Sequence, residues 1–101
     1  MITRVQELRP ADQSVLHKIA EKLFWWKRPE SALELLPRFL AQVMTLGTWD
    51  DVKAVERVLG KEAFREVLRD APAGVFDPRS WHYWHVVFGL PVPPLPSRRF
   101  E

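Results

Sequence analysis

Cysteine is absent from this chain of 101 residues. That excludes disulfides, thiol catalysis, iron–sulfur clusters and cysteine-based zinc sites. Asparagine is missing as well, and glycine is scarce, at four residues. Gly47, Gly60, Gly74 and Gly89 stand singly, each where a helix should end or a turn is required, so no glycine-rich phosphate loop can be assembled. No segment approaches the roughly 18–20 consecutive apolar residues of a membrane span. The opening MITRVQELRPADQ lacks the long apolar stretch of a signal peptide. Charge of one sign is lacking too. Lysine and arginine total 15 against 13 acids, a net +2, and they are dispersed. Attraction to a nucleic acid backbone is correspondingly weak. These absences predict a soluble cytoplasmic protein with no membrane partner, no cofactor and no metal.

The length fits one domain spanning 1–101, with a helical body over about 12–89. Nine prolines and the missing asparagine are features shared with heat-adapted proteins, which suits a thermophilic source.

What is abundant is ring surface. Tryptophan occurs five times, at Trp25, Trp26, Trp49, Trp81 and Trp84. The stretch Phe76 to Phe88, FDPRSWHYWHVVF, sets rings at Trp81, His82, Tyr83, Trp84 and His85. A helix with rings around most of its girth must face a core, a partner, or both.

The apolar spacing is helical almost throughout. Val15, Leu16, Ile19 and Leu23 form the stripe of a first helix that Asp12 can cap. A second region starts at Pro29. Pro37 within it predicts either a short helix followed by a longer one or a single kinked helix. Gly47 should end it as a left-handed cap. Thr48 and Asp51 form an approximate capping box for a helix with the stripe Trp49, Val52, Val55 and Leu59. Gly60 stops that helix, and another runs from about Lys61 to Ala71. Asp77–Pro78 starts the last helix, and Gly89 ends it. The tail, 90–101, holds four prolines and should be extended along the surface. Ile2 to Val5 could be extended but has no strand to pair with. The expected fold is all-α: four to five short helices with an extended Pro-rich C-terminal tail.

No set of groups is competent for catalysis. His82 and His85 share one side of a helix, yet His17 is the sole further histidine and no HExxH is present. Ser80 sits in a first helical turn rather than in a GxSxG elbow. Asp50–Asp51 lies where a helix dipole favours acids. The helices joined at Gly60 could be read as a helix-turn-helix presenting Lys61, Arg65 and Arg69. Interleaved Glu62, Glu66 and Asp70 would repel phosphates. Pro93, Pro96 and Arg98 fit the PxxPxR spacing of an SH3-type ligand. Adjacent Trp25 and Trp26 point about 100° apart on a helix, so a core alone does not absorb both. Aromatics at a surface are over-represented in interfaces. The expected partner-binding residues are therefore Trp25, Trp26, Arg79, Trp81, Trp84, Arg98 and Arg99, while Trp49 fits simple core filling.

The order LFWW (Leu23–Trp26), LG (Leu46–Gly47), TWDD (Thr48–Asp51), LG (Leu59–Gly60), FREVL (Phe64–Leu68) and SWHYWHVVFG (Ser80–Gly89) resembles a family of small, largely uncharacterised bacterial proteins. Its members are often encoded beside nucleotidyltransferase toxins of the abortive-infection type. The likeness runs from Leu23 to Gly89 and rests on spaced aromatics and glycines. It implies a non-enzymatic, antitoxin-like companion that holds such a toxin inactive by occlusion. Trp25, Gly47, Trp49, Gly60, Trp84 and Gly89 are the positions it implies as shared architecture. The chain lacks the long basic winged-helix region of larger autorepressing antitoxins. The alternatives are a DNA-binding helix-turn-helix regulator and a homo-oligomer that buries its aromatic surface against itself.

Overall fold

The computed structural model describes residues 5–72 and 74–96. After a 3-10 turn at Val5–Glu7 come six α-helices: α1 (Pro10–Leu23), α2 (Pro29–Glu34), α3 (Leu36–Leu46), α4 (Trp49–Leu59), α5 (Lys61–Arg69) and α6 (Pro78–Val87). No strand occurs among the described residues. The all-α architecture therefore stands, with six α-helices among the described residues rather than four or five. The extra one comes from Pro37. Its ring lacks an N–H and clashes with a preceding turn, so the second region divides at Leu35 (φ −113°, ψ 83°) and α3 carries the proline in its first turn.

Helix starts follow local chemistry. Thr48 Oγ1 accepts from the Asp51 amide at 3.2 Å, and Asp51 Oδ2 accepts from the Thr48 amide at 3.0 Å, which completes the capping box of α4. Asp77 Oδ1 accepts from the Ser80 amide at 2.7 Å at the start of α6. α1 departs from expectation: it begins at Pro10, with Arg9 as a cap residue whose side chain makes no capping bond. Proline at the first helical position is pre-set for a helix and lacks one of the orphan amides. Asp12 then lies inside the first turn and pairs with Arg9 at 3.4 Å instead.

Gly47 also departs from expectation. Its backbone is extended (φ −68°, ψ 152°), not left-handed. Glycine is required there by space: a Cβ would stand 2.6 Å from the Val43 carbonyl oxygen. Gly60 is the left-handed turn, at φ +87°, where side-chain-bearing residues are strained.

The core centres on α3, which packs against all five other α-helices. Phe39, Ala41 and Val43 are wholly buried within it. α1 contributes Leu16, Ile19 and Ala20, α4 contributes Val52 and Val55, and α5 contributes Phe64, Val67 and Leu68. α4 and α5 also pack on each other, whereas α6 leans chiefly on α3. A cleft remains between α6 and the α4–α5 pair. The described part of the tail, 90–96, has no regular structure and is tied back where Trp81 Nε1 donates to the Pro93 carbonyl at 2.8 Å. Residues 2–4 of the segment read as extended lie outside the described residues, and Val5 opens the 3-10 turn. No helix among the described residues is long and apolar enough to cross a membrane.

Candidate functional site

The 3.6-residue period divides α6 into two faces. Trp81, Trp84 and His85 are buried, and Phe88 continues that stripe at the helix end. His82, Tyr83, Val86 and Val87 are exposed. On the buried side, Trp84 stacks between Phe64 (centroids 5.6 Å apart) and Phe88 (6.1 Å). Its Nε1 donates to the Met44 carbonyl at 2.8 Å. Met44 lies in the last turn of α3, where carbonyls have no partner within the helix, so this indole acts as a cap. Trp81 stacks edge-on against Phe76 and His85, whose Nδ1 lies 2.7 Å from the Trp81 carbonyl.

These contacts place two expected site residues in the interior. Trp81 and Trp84 are 4% and 6% exposed, so neither stands at the surface as a docking side chain. Each indole N–H is satisfied by a backbone carbonyl, as a buried donor must be. Trp84 still contributes as the floor of the cleft. Trp49, expected in the core, is instead 63% exposed. It occupies the first position of α4, where its side chain stands at the helix end rather than over the stripe formed by Val52 and Val55.

Two ring-bearing surfaces result. The first lies on the connection after α1. Phe24 is buried, Trp26 tilts against it at 5.5 Å, and Trp25 meets Trp26 edge-on at 5.6 Å. Trp25 is the most exposed indole, at 81%, and Trp26 is 54% exposed. The second is the cleft, with a volume of about 500 Å³. Trp49, Tyr83 and Val87 form its lips, and Val52, Trp84 and Phe88 its floor. A second, smaller hollow of about 260 Å³ shares Trp49, Val52, Tyr83 and Trp84 with it and is lined also by Met44, Ser80 and Arg79. Arg79 thus lines the adjoining hollow, while Arg98 and Arg99 lie outside the described residues.

The cleft rim is charged. Arg65 pairs with Glu62 at 3.2 Å and lies 5.6 Å over the Phe88 ring. Its Nε is buried without an acceptor among the described residues. Arg69 pairs with Glu66 at 3.3 Å. Lys53, Glu56 and Lys61 complete the rim. Behind Trp49, Asp51 pairs with Lys22 and so joins α1 to α4. Burial pushes the Asp51 carboxyl up, but the Lys22 ammonium and the Thr48 amide outweigh it and hold the group below its ordinary value.

His82 and His85 do not converge, because His82 is exposed and His85 is buried against Trp81. Among the described residues no group of three or more His, Cys, Asp or Glu could hold a metal ion. Tyr83 is the residue that sequence reasoning passed over. Once 81, 84, 85 and 88 are taken as the inward stripe, position 83 falls outside it, next to the first turn of α4. No family model, curated protein or solved structure matches this chain.

Proposed function

We propose that this protein is a non-enzymatic, cytoplasmic protein-binding module. The observation that carries the reading is the exposure of three of five indoles, Trp25 at 81%, Trp49 at 63% and Trp26 at 54%. Large rings left in water lose the stabilisation that burial would give them, about 25 cal/mol per Å² of apolar area. A docked partner recovers it. Aromatic anchors of this kind dominate interface energetics. The resemblance of Leu23–Gly89 to companions of nucleotidyltransferase toxins supports such a toxin as the partner, held inactive by occlusion.

Arg65 and Arg69, the side chains a recognition helix would offer to DNA, are already paired with Glu62 and Glu66. That favours a protein partner over a nucleic acid. The test is co-expression of the full chain with a nucleotidyltransferase toxin of the abortive-infection type. Co-purification and loss of nucleotidyl transfer are expected, and both should weaken in the Trp25→Ser/Trp26→Ser double variant. Recovery of nucleic acid alone, or of no protein, overturns the reading.

A further inference from the structure

Resting on that protein-binding reading, the geometry points to the cleft between α6 and the α4–α5 pair as the docking site for an acidic segment of the partner carrying bulky apolar side chains. Three features combine there. The first is shape. A cleft of about 500 Å³ falls within the range of about 300–1,000 Å³ typical of ligand sites. It has an aromatic floor, since Trp84 and Phe88 stack 6.1 Å apart, and aromatic lips in Trp49 and Tyr83.

The second is rigidity. The floor is fixed by the Trp84–Met44 bond, and the α4 lip by the capping box beside Trp49. Such a surface loses little conformational freedom when it is covered.

The third is charge, and it selects the occupant. Lys53 and Lys61 line the cleft and Arg79 the hollow that adjoins it, and none of the three forms an ion pair among the described residues. Arg65 and Glu62 neutralise each other. Glu56 is the remaining acid on the lining. Three free cations against one free acid give a positive rim around an apolar trough. Its complement is apolar at the centre and negative at the edges. A basic or uncharged segment would leave the three cations desolvated and unmatched. The exposed Trp25–Trp26 pair is on a different connection, so the two surfaces are separable by mutation.

The experiment is selection of random short peptides, displayed on phage, against the immobilised full chain. Enriched peptides should carry Asp or Glu beside Trp, Phe, Leu or Met. Their binding should weaken about tenfold in Trp49→Ala. It should weaken by a similar factor in the Lys53→Glu/Lys61→Glu/Arg79→Glu variant, fall with added salt, and remain unchanged in Trp25→Ser. All of these positions are exposed, and circular dichroism checks that each variant keeps its helices. Basic or neutral consensus sequences, no enrichment, or binding indifferent to the cleft variants would overturn the proposal. So would a dimer in light scattering that the same variants disperse, because the occupant would then be a second copy. The two levels fail differently. If the co-expressed partner is retained equally by the charge-reversed variant, the cleft is wrong and the binding module stands. If no protein partner is retained by the unmodified chain, the module itself is wrong.

Discussion

Replacing Trp84 with phenylalanine isolates one hydrogen bond at the centre of the molecule. The indole is 6% exposed and Met44 is 5% exposed, so water cannot replace the lost donor. The Met44 carbonyl accepts that bond at 2.8 Å, and no helical amide follows it, because the Thr48 amide is committed to Asp51. Leaving a buried carbonyl unsatisfied costs about 1–3 kcal/mol. The smaller ring also gives up roughly 40 Å² of buried apolar area, worth about 1 kcal/mol. Trp84→Phe should therefore destabilise by about 2–4 kcal/mol, a large share of the roughly 5–15 kcal/mol that holds a domain together. At about 4–8 °C per kcal/mol the midpoint should fall by roughly 8–32 °C. Urea unfolding followed by far-UV circular dichroism reads this without relying on indole fluorescence. Trp49→Phe is the control, and it should stay within about 0.5 kcal/mol because that ring is exposed. A loss at Trp84 below about 1 kcal/mol, or an equal loss at Trp49, would refute the division of the tryptophans into structural and surface groups.

Asp51→Asn tests the joint between α1 and α4. The folded carboxyl lies below its ordinary value, so its stabilisation is complete above the unfolded value of about 3.9 and disappears as pH falls through the lower folded one. The variant should lose about 1–2 kcal/mol at neutral pH and show a flatter acid limb; an unchanged limb would rule out the Lys22–Asp51 contribution. Gly60→Ala meets no atom within 4 Å but must adopt φ +87°, so conformational strain alone should cost about 1–3 kcal/mol in chemical denaturation. Trp81→Phe removes the donor to Pro93, and limited proteolysis should then cut the segment after Leu90 faster while the helical signal persists.

Legibility in the sequence followed the range of the interactions. Thr48-x-x-Asp51 and Asp77–Pro78 were readable because each cap is completed within four residues of chain. The break at Pro37 was readable for the same reason. Gly47 is legible as a glycine position, but its constraint is the nearby Val43 carbonyl rather than its own dihedral angle. The start of α1 was missed because Pro10 needs no side-chain cap, and Asp12 advertised one. Trp49 is the least legible of the five tryptophans. It sits in phase with Val52 and Val55, and periodicity cannot show that the buried stripe of α4 begins only in the turn after it. Tyr83 required knowing which of the possible stripes on α6 faces α3, a fact carried by packing alone.

Hydrogen bonding explains why five similar side chains divide as they do. An indole has a single donor and no acceptor, so sealing it inside requires one carbonyl aimed at one point. Carbonyls free of helical partners occur at helix C-termini and in irregular chain. α6 supplies two indoles that reach such groups, Trp84 at the end of α3 and Trp81 in the Pro-rich tail. Trp25, Trp26 and Trp49 find no acceptor among the described residues, and they stay where water can serve their N–H. An exposed indole of this kind keeps both its apolar face and its donor available. The same chemistry that fixes two tryptophans as scaffold therefore leaves three able to engage a partner through packing and a hydrogen bond together.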